Sequence, residues 1–396
     1  MNVFRMICCL AAAASALSAE AESYELHVLP PEQKRIDDPV TGAELTFLTT
    51  APGKDANAYI YQQAWLSDGS VILFNSDRND GGAMAYITRT GELVRLATPT
   101  GPLRQPVASM KRPVLFARRG RDVVEVRLSL AVSDDPKIKP SGARTEERVI
   151  CLMPEGAHSS YLTENPDGTK LTMGIGGIKN EQRSAIFAID IASGEVKEVC
   201  SFPDPPGFAW HVQWSWTDPN LIIFAGRPQR LMVVDIRDGK PRNVYKALDD
   251  ELVTHETSWV NGQILFCGGT HPKPAEDADL KVLDLATGVV RIIGAGAWWP
   301  GASAADLAKV NWWHASGSRD GRWVAADNWH GDIMLWEAKT TRPHLLTSGH
   351  RTYGHGEHPH VAWDQASKAV IFTSEMLGDP NVCVATIPGK WQADNP

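Results

Sequence analysis

Cysteine is scarce in this 396-residue chain, and it is never arranged as a metal-thiolate pair. Two of the six, Cys8 and Cys9, fall within the first 19 residues; Cys151, Cys200, Cys267 and Cys383 are widely spaced with no CxxC. That excludes a zinc-thiolate site. Cys267 and Cys383 lie in apolar runs (QILFCGG, NVCVATI), which favours buried free thiols over disulfides. Positive charge is also in deficit: 39 Lys and Arg face 47 Asp and Glu, a net charge of -8. A nucleic-acid partner needs a basic surface and is excluded; an anionic sugar is not, provided its site is locally cationic. After the first 19 residues no apolar run approaches the ~20 residues of a membrane-spanning helix, so no membrane insertion is expected. GxSxG and P-loop motifs are absent, and no long amphipathic helix stands out.

The first 19 residues have the form of a secretory signal. Arg5 supplies the charge, Ile7 to Leu17 the apolar stretch, and Ala14-Ser15-Ala16 or Leu17-Ser18-Ala19 the cleavage site. The expected location is periplasmic or secreted. Residues 20–42 read as an N-terminal extension and, with 389–396, as loose ends. The intervening chain, 43–390, alternates β-rich runs with turns such as SDGS (67–70), PDGT (166–169), RDGK (237–240) and SRDG (318–321). A unit recurs: an opening strand, a turn, an apolar strand (VILFNS, LTMGIG, LIIFAG, QILFCG, WVAADN, VIFTSE), a third strand, another turn and a short fourth strand.

Opening strands near Tyr59, Val107, His158, His211, His255, His314 and His358 make seven units. The second is poorly formed, with a basic, Pro-bearing stretch from 103 to 147. The last lacks a fourth strand, and AELTFLTT (43–50) is left over to supply it. The expected fold is therefore all-β, a seven-bladed β-propeller closed by an N-terminal strand, with an antiparallel sandwich as the competing architecture.

Five of the opening strands begin with a histidine: His158, His211, His255, His314 and His358, spaced by 44 to 59 residues. In a propeller such positions converge on the mouth of the central channel. His358 and His360 alternate on one strand and so share a face. His355 lies in a glycine-flanked loop just before them. With His314 from the preceding blade they form a four-imidazole set suited to Zn, Mn, Ni or Fe. The bland reading leaves these as surface histidines, and His27, His271, His330, His344 and His350 are assigned to it. Arg230 and His255 come from the blades before. A bound cation with an arginine and a histidine beside it suits removal of the proton alpha to a carboxylate, as in a uronic acid. Hydrolysis is disfavoured, because no pair of Asp or Glu stands on the strand openings. Tyr59 is a candidate substrate contact. Trp214 and Trp323 read as core between sheets, and Trp298-Trp299 as a lid or sugar-stacking pair.

The segments HPHVAWDQASKAVIFTSEMLGDPNVCVATIP (358–388), DPVTGAELTFLTT (38–50) with YIYQQAWLSDGSVILF (59–74), HVQWSWTDPNLIIF (211–224) and THETSW (254–259) resemble the oligogalacturonate lyases of polysaccharide lyase family 22. That resemblance implies a seven-bladed propeller in which three histidines and a glutamine hold manganese. Carried over, His314, His358 and His360 are the metal histidines, and His355 replaces the glutamine, which makes zinc or nickel more plausible. His255 is then the base, Arg230 its partner, and His211 a further cleft residue. Ala56-Asn57 stands where the family has a His-Arg pair, removing a cation from the groove. The substrate implied is an oligogalacturonate or another uronate glycan, cleaved by β-elimination; the oligomeric state is left open. The alternatives are a non-catalytic propeller that binds a glycan or a protein, and a hydrolase or epimerase on the same scaffold.

Overall fold

The computed structural model describes residues 22–131, 135, 142–178, 181–203, 210–270, 272–351 and 358–394. The apolar runs become strands buried on both faces. Val71–Ser76, Leu221–Ala225, Gln263–Gly268, Trp323–Asp327 and Ala369–Ser374 are second strands of their sheets, and nearly every residue in them is inaccessible. A strand flanked by sheets on both sides needs continuous rather than alternating hydrophobicity. The turns behind them require left-handed glycines, with φ of 71° at Gly69, 75° at Gly168 and 75° at Gly321.

The described chain is arranged in seven antiparallel units, the first two joined through the strand Glu22–Leu29 into one nine-stranded sheet. The first runs from Asp55–Asn57 to Leu93–Arg95 and the second from Arg104–Ala108 to Ala143–Leu152. The third spans Gly156–Ser159 to Val196–Pro203, the fourth Trp210–Trp214 to Arg242–Asn243, and the fifth Thr254–Trp259 to Val290–Gly294. The sixth is Trp313–Gly317 to Pro343–Thr347. The seventh joins Ala362–Trp363, Ala369–Ser374 and Asn381–Thr386 to Glu44–Phe47. In that last sheet Leu45 faces Ala385 and Phe47 faces Cys383. Each unit packs on the next, and the seventh on the first, so the sheets form a β-propeller whose ring is closed by a strand from near the N-terminus.

Aromatic side chains fill the wedges between blades. Trp214, Trp259 and Trp323 are fully buried. The Trp259 indole donates to the Ser318 carbonyl of the next blade at 2.9 Å, and Trp363 donates to Ser316 at 2.9 Å. Gly317 is obligatory beneath Trp259, because a Cβ there would lie 2.1 Å from the indole nitrogen. Cys151, Cys200, Cys267 and Cys383 are free, as the apolar runs suggested, with Cys151, Cys267 and Cys383 buried.

The ends are more ordered than the sequence suggests. Glu22–Leu29 is a strand that pairs with the outer strand of the second blade (Leu26 opposite Ala143) and then with that of the first (Leu29 opposite Leu93). Its alternating Tyr24, Leu26 and Val28 pack on the core between those blades. At the other end a short helix, Gly389–Asp394, sets Trp391 against His344 with ring centres 4.9 Å apart. Among the described residues no helix is long and apolar enough to cross a membrane.

Candidate active site

The histidine ring is built by one local device repeated around the propeller. In the opening strands of the second, fourth, fifth and sixth blades the register shifts, at Arg104/Val107, Trp210/Gln213, Thr254/Thr257 and Trp313/Ser316. Two residues there oppose one, which is a β-bulge. The first bulged residue is left-handed in every case: Gln105 φ 52°, His211 φ 52°, His255 φ 53° and His314 φ 50°, with His360 at φ 51° in the seventh blade. A non-glycine residue held there costs about 1–3 kcal/mol, and such strain gathers at functional sites. The result is convergence. Ring centres lie 6.2 Å apart for His211 and His255, 4.2 Å for His255 and His314, and 4.3 Å for His314 and His360. Tyr59 closes the circle at 4.9 Å from His360 and 5.1 Å from His211.

His158 does not join this ring. It lies opposite Gly176 and stacks on Trp210, 5.2 Å away. Tyr161 stands nearer the centre instead, stacked on Tyr59 at 5.9 Å. The sequence places a histidine at the start of the third blade but three residues too early, and a strand's facing depends on register.

His314, His358 and His360 bring nitrogen atoms to within 4.8 Å of one another. His355, the fourth residue of the expected set, lies outside the described residues. His314 Nδ1 meets both oxygens of Asp327 at 2.9 Å, and Asp327 Oδ2 also accepts from the His360 amide at 3.1 Å. Burial first, then neighbouring imidazoles, holds His314 and His360 well below the usual histidine range, so both are neutral. Burial pushes the Asp327 carboxyl up, against the pull of His360 and His358.

Beside this cluster lies a second network. His211 Nδ1 is 3.0 Å from Glu256 Oε1, Arg230 Nε donates to Glu256 Oε2 at 3.0 Å, and Arg230 Nη2 lies 3.2 Å from His211 Nδ1. Tyr59 Oη bridges His211 Nε2 at 3.3 Å and His255 Nδ1 at 3.0 Å. Glu256 is fully buried. Burial alone would raise its pKa, but His211 and Arg230 outweigh it and bring the group to about 2. Enclosure, then the charges possible on His314 and His211, pulls His255 well below the usual histidine range. Burial pushes the Tyr59 phenol far up, so it stays protonated.

Sequence analysis missed Glu256 and Asp327. The sequence predicts no acidic pair on the strand openings; of these two carboxylates only Glu256 lies on one, Asp327 ends a second strand, and each is engaged by an imidazole. Glu256 directly follows His255 in THETSW, yet it serves the histidine of the preceding blade. Nothing in one blade's sequence reports that. Ala56-Asn57 is also clarified. Asn57 is buried and ties the first blade to the seventh, through Nδ2 to the His360 carbonyl at 2.6 Å and through its amide to Thr373 Oγ1 at 3.1 Å. A cleft of about 280 Å³ opens there, lined by Lys54, Asn57, Tyr59, Tyr161 and His360.

Compared as a sequence, the chain matches no protein-family model and no curated protein. Its fold is similar to solved structures. One, an oligogalacturonate lyase in complex with manganese, is 19% identical with a TM-score of 0.71, and the match covers 94% of this chain and 99% of that one. Another, an oligogalacturonate lyase from Vibrio parahaemolyticus, is 17% identical with a TM-score of 0.69, over 94% of this chain and 100% of that one. At these identities the likeness is one of fold.

Proposed function

We propose that this protein is a metal-dependent lyase that cleaves uronate-containing oligosaccharides by β-elimination. We further propose that it acts in the periplasm or outside the cell after losing residues 1–19. The observation that carries the reading is the position of His255, whose ring centre is 4.2 Å from that of His314 in the three-histidine cluster. An oligogalacturonate lyase with manganese bound has a similar fold.

The donor set fits a borderline divalent ion. It offers imidazole nitrogens, and the Asp327 contact to Nδ1 leaves His314 its Nε2 for a metal, the arrangement found behind many metal-bound histidines. His314, His358 and His360 would hold manganese, zinc or nickel, with His355 as the proposed fourth ligand. When bound, the cation supplies positive charge to the substrate carboxylate, acidifying the C5 proton and stabilising the enediolate.

The chain's own groups do the rest. His255, kept neutral by its enclosure, takes the C5 proton on a ring nitrogen. The C5–H electron pair then forms the C4–C5 double bond, the C4–O4 bond breaks, and the departing oxygen takes a proton from water. Arg230, about one-third exposed, is anchored by Glu256 and presents its remaining N–H groups to substrate charge. Tyr59 and His211 form the wall against which the sugar lies.

Ultraviolet absorbance of the unsaturated uronide provides the test, using leader-free protein, a panel of uronate oligomers and added manganese or zinc. The expected result is a rise on at least one uronate that vanishes with chelator and in His255→Ala. A folded, metal-loaded protein that produces no rise on any uronate would overturn the proposal.

A further inference from the structure

Four groups that are not metal ligands stand in one row: Glu256, His211, Tyr59 and His255, linked at 3.0, 3.3 and 3.0 Å. A neutral imidazole has one donor and one acceptor nitrogen, and a phenol has a single proton to donate. The direction of the first link therefore dictates the rest. Glu256 is ionised and can only accept. A neutral His211 must then carry its single proton on Nδ1, which leaves Nε2 as an acceptor. Tyr59 donates to that Nε2, so its oxygen can only accept from the other side. His255 must supply the donor, with its proton on Nδ1, and its Nε2 keeps the lone pair.

Among the described residues, Arg230 is the one group that opposes this order. Its Nη2 lies 3.2 Å from His211 Nδ1 and would donate to it if that nitrogen were bare. A bare nitrogen would then face a carboxylate oxygen at 3.0 Å, lone pair against negative charge. The contact to the carboxylate is the shorter of the two, and Arg230 already donates to the same carboxylate through Nε, so the carboxylate decides.

We infer that Glu256 sets the tautomer of His255 at a distance, through His211 and Tyr59, and so makes His255 Nε2 the proton-accepting atom. Glu256, His211 and Tyr59 are positioning residues in this role. Its kinetic consequence rests on the lyase reading above, whereas its geometry does not.

The substitution Glu256→Gln should run the row backwards. Arg230 Nε is a donor, so the new amide must turn its oxygen to Arg230 and its NH2 to His211 Nδ1. His211 then donates from Nε2, Tyr59 donates to His255 Nδ1, and His255 is left with its proton on Nε2. Tyr59→Phe should break the row and release His255 to the Nε2–H form that a free imidazole prefers. It also provides a second variant should the buried glutamine hinder folding.

The tautomer can be read by long-range proton–nitrogen correlation spectra of zinc-loaded, histidine-labelled protein at mildly alkaline pH, where imidazoles are neutral. His255→Ala assigns the signal. The expected result is a proton on His255 Nδ1 in the parent and on Nε2 in both variants. With it, kcat should fall by about 10²- to 10⁴-fold while zinc affinity is unchanged. A parent protonated on Nε2, or variants that stay protonated on Nδ1, would overturn the inference. If the tautomer moves as described but the parent cleaves no uronate, the row stands and the lyase reading fails. Cleavage by a parent whose tautomer ignores both substitutions sinks the row alone.

Discussion

Asp327 is buried, and it orients an imidazole of the three-histidine cluster. Both of its oxygens lie 2.9 Å from His314 Nδ1. In Asp327→Asn a neutral amide replaces the carboxylate, and divalent-metal affinity should drop by about 10- to 100-fold, as calorimetric titration with zinc would show. His350 makes a different prediction. It is buried between Thr347 Oγ1 and Ser374 Oγ at 2.7 Å each, and burial lowers it to about 3, with Asp38, itself bonded to Thr347, pulling the other way. Folded, it stays neutral; unfolded, it takes a proton below about 6.5. Its contribution is whole above that pH and is lost as pH falls from there towards 3. In His350→Gln, the unfolding free energy from urea titrations should therefore decline less steeply over that interval, by up to about 1.4 kcal/mol per pH unit. Which of these residues the sequence discloses depends on how local their roles are. His211, His255 and His314 are legible because each opens a unit at a repeated spacing, whereas in the seventh blade the left-handed position falls to His360 rather than to His358, two residues earlier. His158 has the spacing but the wrong register. Glu256 and Asp327 are illegible because one partners a histidine of another blade and the other a histidine on the neighbouring strand.

At the scale of the element, the seven repeating sheets are readable because each second strand is a continuous apolar run between turn residues. The strand Glu22–Leu29 is not, because it belongs to no repeat and is polar on its outer face. It caps the outer edges of two blades at once, edges that would otherwise offer unpaired backbone groups to other chains. Leu26 is its anchor, 8% exposed within the core between those blades. Leu26→Ala should cost about 2–4 kcal/mol in denaturant unfolding and raise concentration-dependent light scattering. Zinc affinity should not change, since the strand lies on the outer rim, far along the sheets from the inner bulges. The bulges impose their own rule: at His314, φ 50°, a β-branched replacement adds backbone strain to the loss of a ligand.

Across the whole molecule, stability and chemistry meet where the ring closes. Leu45 is fully buried in the closing strand, opposite Ala385. Leu45→Ala should lower stability by about 2–5 kcal/mol, and unlike Leu26→Ala it should also weaken zinc binding, because His358 and His360 belong to the blade being closed. Parallel unfolding and zinc titrations of the two variants would check that contrast. The same seam gives the molecule a sense of time. The strand Glu44–Phe47 is synthesised well before its partner Asn381–Thr386. Across their junction Asn57 reaches the His360 carbonyl and Tyr59 packs on the His360 ring. A still-extended chain therefore holds every one of these side chains but no site, and the appearance of the histidine ring reports that two segments far apart in the sequence have met.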